Sequence, residues 1–402
     1  MENKSFPKSA TYCVMPHISL AMQNDGDVCV CNLNTQSLET GGREKIYLHK
    51  HGLESAWNSP TRKMIAAGLD KGIRLPGCKA CWDFEDAGIT SSRQSRNRLL
   101  GDLEPVKSQP KIIIIKPGNV CNLGCRMCNP ATSTSLYQDF YQLDTERNKF
   151  VGTFKDYTNQ FEAIRLGFNS DNDKIWPVLN KWAEQLVFID IYGGEPMLAP
   201  SMWESLELAV DQGYSSHIDL QLHTNATIWQ DKYIDILKQY KSVRIGISID
   251  SDNSAQLEYI RHKSNAEQIF TNLEKYQQLC NSHGNIECHI TLTVSTYNIF
   301  DLDNIIKNLR KYQLPIETNF VHSPEHYDIR HIPVSVKKIL SKRFFNFKSK
   351  TLLYHTLPGC DVQWPIFCQE VALLDKIRNQ NFADVFPEWY SLLEPFMHGQ
   401  KI

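Results

Sequence analysis

The sequence predicts an α/β chain organised around a parallel sheet. Two observations carry that expectation: six apolar runs of strand length follow one another from residue 111, and amphipathic helical stretches alternate with them. The first run, Lys111-Ile-Ile-Ile-Ile-Lys116, is continuously apolar, the pattern of a strand buried on both faces. Strands are expected at 111–117, 188–192, 218–223, 243–249, 286–294 and 316–321. Helices at 202–212, 230–240, 266–280 and 303–311 repeat their apolar residues near every 3.6 positions, as crossover helices covering a barrel or an open sheet do. In such folds active sites gather at the C-terminal ends of the strands.

Around this body, residues 1–105 read as an irregular satellite domain, with short strands, turns such as Asn24-Asp25-Gly26-Asp27, and helical stretches near 53–69 and 83–100. The body itself is expected over 106–329, with 130–185 as a long first crossover, and 330–402 as a C-terminal extension. At 402 residues with 42% hydrophobic and 22% charged content, composition is that of a globular chain with room for a large core. The net charge of -2 gives no general attraction to nucleic acid or to an anionic membrane. The N-terminal MENKSFPKSA has no apolar signal region and no apolar run is long enough to span a bilayer, so a cytoplasmic location is expected, without membrane partners. In that reducing compartment twelve cysteines point to metal ligation rather than a disulfide framework.

The densest chemical signal follows the first strand: Cys121-Asn-Leu-Gly-Cys125-Arg-Met-Cys128. Thiolates at this spacing wrap one corner of a cubane iron–sulfur cluster, with Gly118 and Gly124 supplying turning freedom. Three ligands for four irons leave one iron open, whereas structural zinc wants four closed ligands. Other strand ends add polar groups: Tyr192-Gly193-Gly194-Glu195-Pro196 after the second, His223-Thr224-Asn225 after the third, and Ser248-Ile249-Asp250 after the fourth. Adjacent glycines let backbone approach a ligand closely, and Glu195 can accept hydrogen bonds from a cationic amino group.

Cys121, Cys125, Cys128 and Gly193-Gly194-Glu195-Pro196, supported by Thr224-Asn225 and Ser248-Ile249-Asp250, make the chain resemble the radical S-adenosylmethionine superfamily over about 111–325. The resemblance implies a partial (β/α)6 TIM-like barrel and a [4Fe-4S] cluster on the three cysteines. S-adenosylmethionine would chelate the open iron, and its reductive cleavage would give a 5′-deoxyadenosyl radical that abstracts hydrogen from substrate. It further implies that Gly193, Gly194 and Glu195 hold the methionyl amino group, that Asn225 and Ser248 face the ribose or carboxylate, and that Arg261 pairs with the carboxylate. Met127 stands where an aromatic residue is frequent in the superfamily, its backbone meeting adenine. An electron donor such as flavodoxin or ferredoxin is the implied protein partner.

The N-terminal cysteines, with Pro76-Gly-Cys78-Lys-Ala-Cys81-Trp among them, resemble the auxiliary-cluster module called Twitch, a shortened SPASM domain, here preceding the barrel. On that resemblance Cys13, Cys31, Cys78 and Cys81 ligate a second, auxiliary [4Fe-4S] cluster, Cys31 being preferred to Cys29. A zinc site on the same four thiolates and a redox pair at Cys78 and Cys81 are the alternatives. Cys280, Cys288, Cys360 and Cys368 read as buried free thiols, with a hydrogen-donating or ligating role for Cys360 or Cys368 as the alternative. Two basic stretches, 91–98 and 337–348, read as solvated helix faces ahead of nucleic-acid contacts. The expected function is hydrogen abstraction from a peptide or small-metabolite substrate by an oxidoreductase of this superfamily. Nucleoside or tRNA modification and a non-enzymatic, zinc-stabilised binding protein are the competing readings.

Overall fold

The polypeptide is described by a computed structural model over residues 9–24, 26–105, 107–146, 176–343 and 362–397. Cys360 and the end of the second basic stretch, residues 344–348, lie outside those residues. The chain divides into two compact units. The first is Met1–Gly118, Glu162–Leu222 and Lys232–Val243; the second is Asn119–Phe161, His223–Asp231 and Arg244–Ile402.

The strands are β1 (Ser19–Met22), β2 (Val28–Cys29), β3 (Ile112–Ile115), β4 (Gly124–Cys125), β5 (Phe188–Ile191), β6 (Asp219–Thr224), β7 (Ser242–Ser248), β8 (Arg261–His262), β9 (Ile286–Val294) and β10 (Ile316–Phe320). Eight of them form a mostly parallel sheet in the order β10-β9-β7-β6-β5-β3-β1-β2. The six expected strands are all present, and the alternation with helices is as the periodicity predicts. The four isoleucines of β3 are at most 1% exposed, which is why the run carries no polar alternation.

In the first unit, β1 pairs in parallel with β3, Ser19 opposite Ile112, and β3 pairs with β5, Ile113 opposite Ile189. The N-terminal region thus supplies sheet strands as well as helices. Ser-Leu-Ala-Met is only four residues, all fully buried, too short a run to separate from loop by periodicity. The helical stretch expected near 53–69 is two helices, Leu48–Asn58 and Pro60–Asp70. Ser59 caps the second with its hydroxyl and Pro60 occupies the first turn, where its missing N–H costs nothing. Helix Pro200–Asp211 buries Trp203, which stacks on Tyr233 at 4.2 Å between ring centres.

In the second unit, β9 and β10 pair in parallel with Glu317 opposite Thr291, and β4 and β8 form a short antiparallel ribbon with Cys125 opposite Arg261. Helix Ala266–Ser282 packs on β9, and helix Gln363–Arg378 of the C-terminal region packs on helix Tyr137–Glu146. Leu136, Phe140, Leu143 and Leu374 make a small apolar core there, with Cys128 against it.

The free-thiol reading of Cys280 and Cys288 is corrected: they form a disulfide, with Cα atoms 6.2 Å apart. Cys280 lies near the end of its helix and Cys288 two residues into β9, so the intervening turn doubles the chain back far enough for the two side chains to meet. Among the described residues no helix is long and apolar enough to cross a membrane.

Candidate functional site

The second unit contains the three-cysteine loop, and short polar side chains fix its shape. Ser135 donates to the Cys121 carbonyl at 2.8 Å, Ser133 to the Leu123 carbonyl at 2.6 Å, and Asn119 to the Pro130 carbonyl at 3.0 Å. Asn225, just past β6, ties the loop to the strand end: its Nδ2 donates to Asn122 Oδ1 at 3.0 Å and reaches Cys121 Sγ at 3.9 Å. Its Oδ1 accepts from the Thr227 amide at 2.9 Å and hydroxyl at 2.6 Å, while Asn122 donates back to Thr227 at 2.8 Å. Every polar atom of this knot has a partner, so the loop is held at a defined register against β6.

The β4/β8 pairing sets Arg261 opposite Cys125. Buried Asp250 fixes the guanidinium, with Nε 2.8 Å from Oδ2, and the Thr293 amide donates to the other carboxylate oxygen at 3.1 Å. A hydrogen bond from Cys128 holds the Cys125 thiol below its ordinary range, and Arg261 and Arg378 pull the same way. That bond, with burial, pushes Cys128 up. Of the other residues singled out in this unit, Ser248 ends β7 half-buried and Met127 is half-buried in the turn between the last two cysteines.

Arg126, between the same cysteines, carried no expectation, yet it is 2% exposed. It stacks on Tyr259 at 3.6 Å and donates to the Tyr259 carbonyl at 3.1 Å and to Gln380 at 2.9 Å. It also pairs with Asp375 at 2.5 Å, which ties the cluster loop to helix Gln363–Arg378. An arginine beside a ligand motif was a visible signal; its partner 249 positions away was not. A small cavity opens beside Cys125 and Cys128, lined also by Arg126, His326, Glu370 and Arg378.

In the first unit, Gly193 and Gly194 follow β5 with φ of 92° and 62°, the left-handed region that glycine enters without strain. A Cβ on Gly193 would stand 2.8 Å from Asn24 Oδ1 and 2.9 Å from Lys116 Cγ, so side chains are excluded there twice over. Glu195 is 2% exposed and accepts from the Met197 amide at 3.1 Å, capping the turn Pro196–Leu198. Burial pushes the neighbouring Asp190 carboxyl up to about 6, Arg96 opposing it.

The same unit gathers four thiols. Cys13, Cys31, Cys78 and Cys81 line one small cavity together with Asn34 and Arg93. Cys29 is not in its lining; it lies in β2, opposite Ala21. Burial pushes Cys13 up to about 12 and Cys78 up to about 11, and raises Cys81. Asn34 donates to Cys78 Sγ at 3.4 Å, and a Cβ on Gly77 would meet Gln36 at 3.0 Å and Asn34 at 3.1 Å, so the chain can bend there only without a side chain. Arg93 grips Glu85 through Nε at 2.9 Å and Nη2 at 2.7 Å and donates to the Tyr12 carbonyl at 2.6 Å. Arg96 donates to Asn32 at 2.8 Å. Two of the three arginines of the first basic stretch, Arg93 and Arg96, therefore make internal contacts. Among the described residues no three His, Cys, Asp or Glu side chains converge closely enough to be the ligands of one metal ion. Cys368 is half-buried on helix Gln363–Arg378, its thiol pushed up to about 12 by burial.

No curated protein matches the chain. Among solved structures it is similar to native anSMEcpe with bound AdoMet, at 19% identity and a TM-score of 0.40, covering 59% of this chain and 60% of that one. It is also similar to Streptococcus suis SuiB bound to S-adenosylmethionine, at 14% identity and a TM-score of 0.38, covering 73% of this chain and 59% of that one. The chain thus spans about 60% of the length of these structures, and likenesses of this size carry no argument. Residues 115–309, just under half of the chain, match the Radical SAM superfamily. That segment, with Cys121, Cys125 and Cys128 at its start, is a radical S-adenosylmethionine domain.

Proposed function

We propose that the protein abstracts hydrogen from a peptide or small-metabolite substrate, using a [4Fe-4S] cluster on Cys121, Cys125 and Cys128 and a second, auxiliary cluster on Cys13, Cys31, Cys78 and Cys81 in a Twitch-like module. The observation that carries the reading is the state of the three-cysteine loop. The Cys125 thiol is drawn toward its thiolate form by the hydrogen bond from Cys128 and by the buried cation Arg261, and the Asn225 amide approaches the Cys121 sulfur. This donor set fits a cluster with one open iron. Bound there, cluster and S-adenosylmethionine supply one-electron cleavage of the sulfonium and a 5′-deoxyadenosyl radical.

The chain's own residues bind and orient. Asn225, Asn122 and Thr227 hold the loop against β6, and Asp250 keeps Arg261 opposite Cys125. Gly193 and Gly194 expose backbone to a cofactor amino group, with Glu195 as its acceptor. Ser248 and the Met127 backbone are the remaining cofactor contacts in this reading. For the auxiliary cluster, the supporting observation is that four thiols from three separated segments line one cavity, with Arg93 and Arg96 beside them to offset thiolate charge. The domains in this reading are 1–105, 106–329 and 330–402, in the cytoplasm, with a flavodoxin or ferredoxin as electron source.

Anaerobically reconstituted protein given dithionite and S-adenosylmethionine is expected to release 5′-deoxyadenosine. It should bind about eight irons per chain for two four-iron clusters. An iron-loaded protein that releases none would refute the proposal. Iron of about four per chain would remove the auxiliary cluster alone.

A further inference from the structure

Helix Gln363–Arg378 ends on a buried cation beside the three-cysteine loop. Leu374 of that helix packs into the small apolar core with Leu136 and Phe140, and Arg378 follows it by four positions, on the same helix face. The guanidinium is thereby carried to the same neighbours. Its side chain is 1% exposed, and the position a Cβ would take on Gly124, next to Cys125, lies 3.5 Å from its Nη2. Asp139 of helix Tyr137–Glu146 holds one edge of the group: its Oδ2 accepts from Nε at 3.1 Å and from Nη2 at 2.7 Å.

A guanidinium has donors on a second edge as well. Arg378 Nη1 is buried and has no hydrogen-bond partner, and the same is true of Arg126 Nη1. Both arginines line the small cavity beside Cys125 and Cys128. Two guanidinium groups of this lining thus each keep a donor nitrogen without an acceptor. Burying such a donor unpaired costs free energy, and costs more when the group is charged, so the place calls for an acceptor that carries negative charge. Pairing with Asp139 alone does not explain Nη1, because that carboxylate occupies the opposite edge.

The anionic group that belongs beside Cys125 and Cys128 is the cluster itself. Its sulfurs accept hydrogen bonds, and such bonds, with the charge around them, set how readily the cluster takes an electron. We infer that Arg378 donates through Nη1 to a sulfur on the cluster edge held by Cys125 and Cys128, and so favours the reduced cluster, which carries one more negative charge. The assignment deepens the proposed function, on which it rests, by naming a residue that tunes the electron-accepting step. Arg378 lies outside residues 115–309, so the C-terminal helix gives the cluster a donor that the matched segment does not contain.

Two measurements test it, and neither needs turnover. Reconstituted full-length protein carrying isotopically labelled arginine guanidinium nitrogens is reduced with dithionite, and the electron paramagnetic resonance signal that changes on adding S-adenosylmethionine identifies the cluster. Spin-echo spectra at that signal are expected to show a labelled-nitrogen coupling that Arg378→Lys, which keeps the cation but withdraws Nη1, removes at equal iron content. The midpoint potential is the second readout. Arg378→Gln combined with Asp139→Asn strands no carboxylate and should make reduction of that cluster about tenfold less favourable, a fall of about 59 mV for one electron. Asp139→Asn alone should not lower the potential. Absence of any arginine coupling, a coupling that survives Arg378→Lys, an unchanged potential in the double variant, or an equal fall with Asp139→Asn alone overturns the assignment. Iron-loaded protein with no signal that responds to S-adenosylmethionine refutes the function on which it rests.

Discussion

The two thiol groups are built by opposite means. In the second unit three cysteines lie within eight residues on one loop, and short side chains around them, Asn225 foremost, set the loop's shape. In the first unit four thiols come from three segments spread over residues 13 to 81 and meet only around a cavity. The electrostatics differ as well. In the second unit the hydrogen bond between Cys125 and Cys128 splits the pair, Cys125 drawn down with help from Arg261 and Cys128 pushed up, whereas burial dominates at Cys13, Cys78 and Cys81 and drives all three up. A loop that is local in sequence can leave a coordination position open. A shell assembled from distant segments closes around whatever fills it, and its buried thiols gain most from a ligand that takes their protons.

The sharpest way to break this contrast is to remove one thiol from each group. Cys125→Ala should abolish 5′-deoxyadenosine release, whereas Cys81→Ala should leave release intact while lowering iron from about eight to about four per chain. Iron analysis and chromatographic detection of 5′-deoxyadenosine read both, and release lost in Cys81→Ala would show that the two groups are not independent.

Each unit also carries a buried arginine that ties distant segments together, Arg126 through Asp375 and Arg93, itself paired with Glu85, through the Tyr12 carbonyl. Replacing either by methionine strands a carboxylate, at a cost of about 3 kcal/mol or more in chemical denaturation. Arg126→Met should also loosen the cysteine loop and lower iron retention; unchanged loading would confine that arginine to holding helix Gln363–Arg378.

Smaller effects are expected at the two crowded glycines. Gly193→Ala forces a side chain into left-handed backbone against Asn24 and Lys116, and Gly246→Ala drives a methyl against His223; each should cost about 1–3 kcal/mol. Thermal midpoints equal to wild type would show that the neighbours yield freely.

The smallest difference is in pH response, and the units differ in sign. His223 falls from 6.5 to about 4 on folding, chiefly through burial, so the unfolded chain takes the proton first and stability is lost as pH falls from about 6.5 toward 4. Asp190 rises from 3.8 to about 6, also through burial, so its contribution is present at low pH and is lost as pH rises from about 4 to 6. His223→Gln should flatten the acid decline in thermal midpoint and Asp190→Asn should steepen it; identical profiles would assign the decline to other groups.

How much was legible follows from how local each feature is. The six strands and their helices were readable because periodicity acts over a few residues, and the cysteine loop because its ligands share one turn. Four-residue β1 was not, since a short, fully buried run looks the same in a loop or a strand. The Cys280–Cys288 disulfide was missed because neither position shows by itself how sharply the turn between them reverses the chain.

By itself, then, the sequence determined the alternating strands and helices and the thiol loop after β3, because hydrophobic period and ligand spacing are short-range properties. Tertiary structure alone decided that Arg261 stands opposite Cys125, that Asp375 receives Arg126 across 249 positions, and that four scattered thiols line one cavity. Those are meetings of side chains far apart in the chain, and only packing and strand register bring them together.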